Sequence, residues 1–560
     1  MKQILVIFLS LFAFIQATII NIPADQPTIQ AGINVAAEGD TVLVAAGIYY
    51  ENIIWSSENG IKLIGSGETD CIIDGDSLGS VIRMSYIIGT ATVIDGFTIQ
   101  NGYANGNIPF SNGGGIYCNE VSLHLSNLTI IDNSANEEGG GVFCWYSDLN
   151  LFDVSIINNF SSTDLYGTGG GGIHSKSSTL NLANVVFEDN IAVSSGGGLC
   201  CISSTLDIVN ADFSNNSCLY EGFGDIGGGG MFCTMSSSPY YLEDISFSNN
   251  SSGSNGGGIC FNMVDAEMKN VYVTNNSALY YGGGIYFKMS DSELTNVLIT
   301  NNTSELSGGG FSINGSFPIL KNVNIIDNIS NQGGGISIKI WGPSLVNCIL
   351  WNNEPEEIYC IDFNSLANII TISYSDIQGG ESGIITNNNG TVNWLDGNID
   401  DNPLFLGLGE YPYALQFDSP CIDAGTPDTT GLSLPEYDLA GNPRIFGGRI
   451  DMGAYEWQGT PVSDELGSVS YKLSNYPNPF NPSTTISFSL TAKDAQDAKI
   501  EIFNLKGQKV IDLSVILSGV EGTVTWNGDD EEGKSVCSGI YFYKLKFGKH
   551  EETKKMLLMK

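Results

Sequence analysis

The chain has 560 residues, and its 22 Lys and Arg stand against 61 Asp and Glu, a formal net charge of −39. This length exceeds one ordinary hydrophobic core, so either several units or one elongated repeat unit is expected. The negative charge repels phosphate backbones, and no run of about 18 apolar residues follows the N-terminal segment, so we expect neither a nucleic-acid partner nor a transmembrane span.

The N-terminus has the order of a secretory signal peptide. Lys2 is followed by the mostly apolar run from Ile4 to Ile15 and then by the small residue Ala17. A basic residue, an apolar stretch and a small residue are typical of a segment that is removed on export. Residues 1–17 are therefore predicted to be a signal peptide, and the mature protein is predicted to be secreted or on the cell surface.

A glycine triplet followed by apolar residues occurs nine times. The intervals between the middle glycines are 25 to 32 residues, most often 26. Self-similarity at such a period indicates a solenoid. The middle glycines are Gly114, Gly140, Gly171, Gly197, Gly229, Gly257, Gly283, Gly309 and Gly334.

A second repeated phrase has the periodicity of a β-strand. In LTNVLITNN, which begins at Leu294, the apolar residues Val297 and Ile299 lie two positions apart. Alternation with period two indicates a strand and disfavours helical repeats. Two strand phrases and a variable link per 26 residues predict an all-β fold, a parallel β-helix whose coils stack roughly 4.8 Å apart.

The glycines and the recurrent Asn and Asp residues are predicted to have structural roles. Glycines at a corner permit positive φ and a close approach of neighbouring coils, where a repeated Cβ would clash. Stacked Asn side chains form hydrogen-bonded ladders and tolerate left-handed backbone. The residues predicted to form one such ladder are Asn127, Asp153, Asn184, Asn210, Asp244, Asn270, Asn296, Asn322 and Asn347.

Strand alternation predicts where the residues after each triplet point. The first and third should face the core, and the second should face outward. Small thiols at the third position are predicted to pack in the core, at Cys118, Cys144, Cys201 and Cys233. Aromatic rings at the second position are candidate sugar-binding residues, with ordinary β-propensity as the alternative explanation: Tyr117, Phe143, Phe232 and Tyr286.

The N-terminal part of the mature chain, IPADQPTIQAGINVAAEGDTVLVAAGIYYENI from Ile22 to Ile53, resembles the opening of β-helix proteins of the pectin-lyase-like superfamily. The resemblance implies a short helix that caps the first coil, and the spacing of Ile29, Ile33 and Ala36 suits such a helix. The glycine repeats resemble those of polymorphic outer-membrane proteins. The resemblance implies the right-handed form, so we expect a right-handed parallel β-helix over residues 18–457, with a cap and first strands at 18–53.

The end of the solenoid carries the phrases SPCIDAG, DLAGNPR and DMGAYE, in this order, between Asn402 and Glu456. These phrases are similar to the closing region of exported β-helix proteins of the choice-of-anchor type. Residues 402–457 are therefore predicted to be a closing cap. Asp438, Asn442 and Asp451 are the candidate Ca²⁺ ligands here, although no resident cofactor is expected.

The C-terminal part begins with YPNPFNPSTTISFSL at Tyr476 and ends in alternating strands. It resembles the C-terminal sorting domain of type IX secretion cargo, an immunoglobulin-like β-sandwich. The alternation of Ile486, Phe488 and Leu490 independently indicates a sandwich strand. We predict a linker at 458–471 and a sorting domain at 472–560. The resemblance implies that secretion machinery is a partner and that the protein is delivered to the outer membrane or beyond.

The resemblance to pectin-lyase-like proteins raises the question of enzymatic activity. Their lyases and hydrolases need clustered carboxylates, but Asp132, Asp189 and Asp327 are spread along the repeats and are predicted to serve turns. His124 and His174 are interpreted as repeat variation. We expect no catalytic residue and an adhesin-like or glycan-binding protein that contacts polysaccharide or a neighbouring surface.

The alternative is a polysaccharide lyase or glycoside hydrolase. It would require a groove with three or more carboxylates beside Lys62, Arg83 or Lys176.

Overall fold

A computed structural model describes residues 17–55, 59–87, 92–162, 168–224, 226–363, 366–459, 473–476, 478, 480–489, 499–504, 508–513, 516–518, 521–536, 539–547 and 550–558. The chain divides into two compact units, Met1–Thr460 and Pro461–Lys560. Residues 1–16 of the predicted signal peptide and 460–471 of the predicted linker lie outside the described residues. Within the described part of the chain, no helix is long and apolar enough to cross a bilayer.

The first unit is a solenoid of parallel strands, in which each strand pairs with its equivalent in the next coil. Tyr117 is in register with Phe143, and Phe143 is in register with His174. Each repeat contributes strands to three surfaces, which we call faces A, B and C. This confirms the predicted right-handed parallel β-helix and the strand periodicity of both repeated phrases.

Face A carries the phrase that ends in two asparagines. Its strands are Ile19–Ile22, Thr41–Val44, Gly47–Tyr50, Lys62–Ile64, Cys71–Asp74, Val93–Gln100, the second half of Ile116–Ile131, Asp148–Ile157, Thr179–Glu188, Thr205–Ser214, Tyr240–Ser248, Ala266–Thr274, Glu293–Thr300, Ile319–Ile326, Ser344–Val346, Ile349–Trp351, Asn368–Ser373, Asp376–Ile377 and Gly390–Trp394.

Face B follows the glycine triplets, and face C consists of two-residue strands. Face B comprises Ile53–Ile54, Ile82–Ile87, the first half of Ile116–Ile131, Val142–Trp145, Ile173–Lys176, Leu199–Ile202, Met231–Thr234, Ile259–Asn262, Ile285–Lys288, Phe311–Ser316, Ile336–Trp341 and Ile358–Cys360. Face C comprises Tyr103–Ala104, Ser134–Ala135, Phe160–Ser161, Ile191–Ala192, Ser217–Cys218, Ser251–Ser252, Ser277–Ala278 and Thr303–Ser304.

A short helix, Ile29–Val35, lies at the N-terminal end of the solenoid, as predicted. Thr28 caps it by accepting a hydrogen bond from the backbone N–H of Ala31. The carboxylate of Glu51 accepts the N–H groups of Ile29 and Gln30, two donors that a helix cannot satisfy internally. The buried side of the helix carries Ile29 and Ile33, which join the main core.

The three glycines of each triplet have different tasks. The first adopts positive φ, as at Gly256 with φ 62°. The second cannot carry a side chain, because a Cβ on Gly257 would lie 2.3 Å from the carbonyl oxygen of Gly283 in the next coil. The third is equally close, since a Cβ on Gly115 would lie 2.6 Å from the carbonyl oxygen of Gly141. The predicted positive φ and close approach are both confirmed, but they occur at different glycines.

The predicted Asn ladder forms on face A, where side-chain hydrogen bonds join five of its eight neighbouring pairs. All nine of its residues have φ between 48° and 57°. Asn184 donates from Nδ2 to Asp153 Oδ1 at 2.7 Å, and Asn210 donates to Asn184 Oδ1 at 2.8 Å. Asp132, Asp189 and Asp327 also have positive φ and lie at a second corner, which confirms the turn role predicted for them.

A second Asn ladder, which sequence analysis did not identify, lies inside the solenoid. In each coil, the Asn donates from Nδ2 to the equivalent Oδ1 of the next coil at 2.8 to 3.1 Å. The series ends at Glu357, whose carboxylate accepts from the backbone N–H and Nδ2 of Asn353. Its members are Asn133, Asn159, Asn190, Asn216, Asn250, Asn276, Asn302, Asn328 and Asn353.

The second residue after each triplet is buried, so the prediction that it faces solvent is wrong. Tyr117, Phe143, Phe232 and Tyr286 are only 1 to 3% exposed. The first glycine turns the chain back over this position. A Cβ on Gly139, for example, would lie 2.9 Å from Phe143 Cα. The rings stack beneath this layer of backbone, with Tyr117 and Phe143 centroids 5.4 Å apart.

The third residue lies in the core, as predicted. Cys118, Cys144, Cys201 and Cys233 are fully buried members of the main hydrophobic cluster. Each is a free thiol, and burial raises its pKa. These thiols therefore act as small apolar core groups.

The predicted closing region runs along the outer side of face A over the last coils. Leu298 and Ile326, which point outward from face A, pack beneath Leu439, Ala454 and Tyr455. A buried ion pair joins Arg444 Nη2 to Glu456 Oε2 at 2.9 Å. We call residues 402–457 the closing segment.

The second unit contains two four-stranded antiparallel sheets. One consists of Leu473–Tyr476, Thr484–Ser489, Ile516–Ser518 and Glu521–Trp526, and the other of Lys499–Asn504, Lys509–Leu513, Gly539–Phe547 and His550–Leu558. Ile486 and Trp526 of the first sheet share one buried cluster with Ile502 and Tyr543 of the second. The predicted small β-sandwich is confirmed.

We expect Asn250→Asp to destabilise the solenoid by about 2–5 kcal/mol, because it places a carboxylate among buried acceptors. Asn250 Nδ2 donates to the Phe213 carbonyl at 2.8 Å and to Asn276 Oδ1 at 3.0 Å, and Asp would lose both bonds. Asn249→Asp is the matched control, since Asn249 is exposed at a corner where other coils carry Asp. Urea unfolding measures both variants, and equal midpoints would contradict a structural role for the buried ladder.

The stability of the solenoid is expected to fall as pH rises from about 4 to about 7. Burial raises the pKa of Asp376, Asp451 and Glu357 to about 7 each, so the folded chain binds more protons than the unfolded chain in this range. Melting temperatures measured between pH 5 and pH 8 should therefore decrease, and Asp376→Asn should reduce the slope. The exposed Asp207→Asn control should keep the wild-type slope. If Asp376→Asn left the slope of melting temperature against pH unchanged, the raised pKa of Asp376 would be refuted as a cause of the pH dependence.

Candidate functional site

A groove of about 1120 Å³ lies between face A and the closing segment. It begins where the closing segment stops covering the solenoid. One wall consists of residues of four successive coils, and the other consists of Tyr411 and Ser433–Gly441. The solenoid residues of the wall are Asn184, Val185, Val186, Asn210, Ala211, Asp212, Glu243, Asp244, Ile245, Ser246, Lys269, Asn270 and Tyr272.

Contacts between Ser433–Gly441 and the solenoid hold the second wall in place. Tyr272 Oη donates to the Leu439 carbonyl at 2.7 Å, and Asn296 Nδ2 donates to the Tyr437 carbonyl at 2.8 Å. Asn296 Oδ1 accepts from Arg444 Nη1 at 3.1 Å. One member of the Asn ladder on face A thus fixes the closing segment as well as its own coil. Burial raises the pKa of Tyr272, which keeps its hydroxyl a donor at neutral pH.

The groove carries more negative than positive side chains. Carboxylates come from Asp212, Glu243 and Asp244 on the solenoid and from Glu436 and Asp438 on the closing segment, whereas the positive charge comes from Lys269. Glu243 accepts a hydrogen bond from Tyr241 Oη at 2.5 Å, and this bond raises the pKa of Tyr241 to about 12. The potential in the groove therefore disfavours anionic ligands.

Hydrogen-bonding groups in the groove suit a ligand rich in hydroxyls. Asn184 and Asn210 present amides on the exposed ladder, and Ser246 lies on the neighbouring outward row. Tyr411 contributes a half-buried ring at the mouth, next to Tyr455 with centroids 5.9 Å apart. Amides, carboxylates and aromatic faces together can bind uncharged sugars.

The candidate Ca²⁺ ligands are engaged in the fold of the closing segment. The Asp438 carboxylate accepts the backbone N–H groups of Ala440, Asn442 and Glu456. Asp451 accepts those of Asp423 and Trp457, both at 2.6 Å. In the residues that the structure describes, no group of three or more His, Cys, Asp and Glu side chains is placed to hold a metal ion.

The basic residues considered for a lyase lie away from this groove. Arg83 is on face B, where its guanidinium stacks over Tyr117 at 3.9 Å and Phe110 at 4.7 Å. Lys176 is also on face B, and Lys62 lies on an early coil of face A. His174 is buried, with Nδ1 2.9 Å from the Gly169 carbonyl, as expected for repeat variation. The structure does not bring these residues together.

Sequence analysis missed the groove. The four aromatic residues chosen as sugar-binding candidates lie on face B and are buried, whereas the groove lies on face A. The polar residues that point outward in the second repeated phrase, such as Glu243 and Lys269, were a sequence signal for a polar surface on face A. Nothing in the pattern showed that the closing segment would fold back beside them.

Comparisons with known proteins agree with two of the resemblances. Residues 474–559 match the family described as "Secretion system C-terminal sorting domain". Residues 244–262 and 270–288 match the Chlamydia polymorphic membrane protein repeat. No curated protein matches the chain at a significant level. The predicted likeness to choice-of-anchor proteins and the signal peptide remain predictions.

Two solved structures are similar to parts of the chain. PorZ, an essential surface component of the type IX secretion system of Porphyromonas gingivalis, has 21% identity over 16% of this chain and 11% of its own, with a TM-score of 0.13. The catalytic unit of a thermostable GH87 α-1,3-glucanase from Streptomyces thermodiastaticus strain HF3-3 has 10% identity over 65% of this chain and 63% of its own, with a TM-score of 0.22. At these values neither neighbour assigns an activity. The sorting domain and the repeats identify the chain as a secreted or cell-surface protein that uses secretion machinery.

Proposed function

We propose that the protein binds an uncharged or cationic polysaccharide at the cell surface, in the groove between face A and the closing segment. The groove itself is the observation that carries this proposal. It is open, has a volume of about 1120 Å³, and combines amides, carboxylates and tyrosine rings. Four coils at a spacing of about 4.8 Å span about 14 Å from first to last, which suits a short stretch of an extended polymer.

Charge selects among polysaccharides. Five carboxylates and one ammonium group line the groove, so a uronic-acid polymer would face repulsion along its whole length. Uncharged sugars and amino sugars face no such repulsion. Their hydroxyl or amino groups can form hydrogen bonds with the amides and donate hydrogen bonds to the carboxylates. The proposed ligand class is therefore neutral or cationic glycan.

Glycoside hydrolysis is the second candidate function. It is supported by the placement of carboxylates on both walls, with Glu243 on the solenoid and Glu436 on the closing segment. Hydrolases of most families use two carboxylic groups that flank the glycosidic bond. Binding ranks first because the solenoid carboxylates already accept hydrogen bonds from neighbouring side chains. Glu243 accepts from the Tyr241 hydroxyl, and Asp244 accepts from Asn270 Nδ2 at 3.0 Å.

The test is retention of the purified mature protein on immobilised polysaccharides, with release of reducing ends measured in parallel. Neutral glucans, mannans and chitin-like polymers should retain the protein, and pectate and alginate should not. Ser246→Trp is expected to abolish retention by filling the groove. Ser248→Trp is the matched control, since Ser248 lies two residues further on the same outward side of the strand and does not line the groove.

Each outcome separates the candidates. Retention without new reducing ends, lost only in Ser246→Trp, supports binding. New reducing ends that disappear in Glu243→Gln or Glu436→Gln would replace binding with hydrolysis. Equal retention of both Trp variants would exclude the groove as the site.

Delivery to the surface is expected to depend on the second unit. Because residues 474–559 match a sorting domain, a chain that ends at Gly459 should accumulate in the periplasm of a producing strain with this secretion system. Surface proteolysis and fractionation measure its location. A truncated chain that reaches the surface as efficiently as the full chain would contradict the role of this unit.

A further inference from the structure

Three methionines occupy one column at the corner that follows face B. Met235, Met263 and Met289 each come directly after the last strand residue in three successive coils. Met235 N–H donates to the Asn262 carbonyl at 3.1 Å, and Met263 N–H donates to the Lys288 carbonyl at 2.8 Å. Neighbouring methionines are therefore one coil apart, about 4.8 Å along the solenoid.

These methionines are exposed, unlike the others that the structure describes in detail. Met235, Met263 and Met289 are 55, 41 and 49% exposed, whereas Met84, Met231, Met268, Met452 and Met556 are each at most 1% exposed. Methionine is among the residues most often buried. Burial in the core does not explain this column.

The backbone of the corner does not favour methionine either. The three residues have φ of 59, 57 and 48°, and left-handed backbone costs a residue with a Cβ roughly 1–2 kcal/mol. Other coils place Ser177, Ser203, Gly315, Tyr146 or Ile340 at the same corner, all with positive φ. The corner thus accepts several residue types, and its backbone does not explain why three successive coils carry methionine.

A row of thioethers has a specific chemistry. Thioether sulfur is a soft ligand that selects Cu(I) and similar ions over Mg²⁺ or Ca²⁺. Methionine has three rotatable side-chain bonds, so sulfurs on adjacent coils can converge on one ion. Met289 Cγ lies 3.7 Å from the position that a Cβ on Gly315 would occupy, so this side chain leans along the column.

Negative charge next to the column favours a cation. Asp265 and Asp291 are exposed and lie two residues after Met263 and Met289. Asp265 Oδ1 accepts the N–H of Asp291 at 2.7 Å, so the two carboxylates also form a column. Lys288, which directly precedes Met289, is the one basic residue in these three stretches of corner sequence, so the two carboxylates leave a net negative charge that attracts a cation.

We propose that Met235, Met263 and Met289 form a binding site for a soft monovalent cation of the Cu(I) class. The site lies on a different face of the solenoid from the groove, so the result of its test does not depend on the proposed glycan binding. A purely hydrophobic contact would be served equally well by leucine, and this difference provides the test.

The experiment is a titration of the full mature chain with Ag(I), a redox-stable ion of the same class, in chloride-free buffer. With [methyl-¹³C]methionine labelling, the methyl signals of Met235, Met263 and Met289 should shift together and saturate at one Ag(I) per chain. Single Met→Leu variants assign the signals. The readout separates this site from thiols, since the described cysteines are buried and carry no labelled methyl group.

Met263→Leu should weaken Ag(I) binding at least about tenfold, since loss of outer-shell partners alone costs about 10- to 100-fold in metal affinity. Met231→Leu is the matched control, a buried methionine on the strand that directly precedes Met235, and should bind as the wild type does. The unchanged remaining methyl signals verify folding. Unmoved signals of the three methionines in excess Ag(I), or equal affinity of Met263→Leu and wild type, would overturn the proposal.

Discussion

The whole structure depends on coils that stack at one strand spacing without side chains at the glycine corner. Where Gly257 faces Gly283, the backbone of one coil occupies the space that a Cβ would need in the other. Parallel strands on three faces can keep their hydrogen bonds only if every corner allows this approach. The repeated triplet is therefore a condition for continuous pairing through nine coils, and the same turn buries the aromatic column of face B.

The buried Asn ladder adds specificity to this stack. An amide that donates to the next coil and accepts from the previous one is satisfied only when the coils are in register. The ladder on face A carries Asp153 and Asp244 where it is exposed, because water solvates the carboxylate, and only Asn where the closing segment buries it. The inner ladder contains only Asn until Glu357 ends it by accepting two hydrogen bonds from Asn353. Burial explains why the inner column excludes Asp and the outer column does not.

The closing segment determines which part of the solenoid is available for binding. It covers Leu298 and Ile326, which would otherwise be exposed apolar residues on face A, and ends its cover beside Tyr272. The groove lies at the boundary between the coils that the closing segment covers and the coils that it leaves uncovered. Its excess of carboxylates agrees with the acidity of the whole chain, and the sorting domain explains why such a surface is exposed outside the cell.

Period and alternation alone determined the solenoid, the strand phrases, the glycine corners, the exposed Asn ladder and the core thiols, because each depends on contacts between equivalent residues of adjacent coils. The sorting domain was likewise readable from a local motif. Only the tertiary structure decided that Tyr117 and its equivalents are buried and that the groove lies on face A. Both depend on how nonequivalent segments pack: the first glycine folds over the residue four positions later, and residues 433–441 dock beside strands more than 150 residues earlier. A repeat pattern specifies how a coil meets its copy, and it carries no information about where a nonrepeated segment will lie.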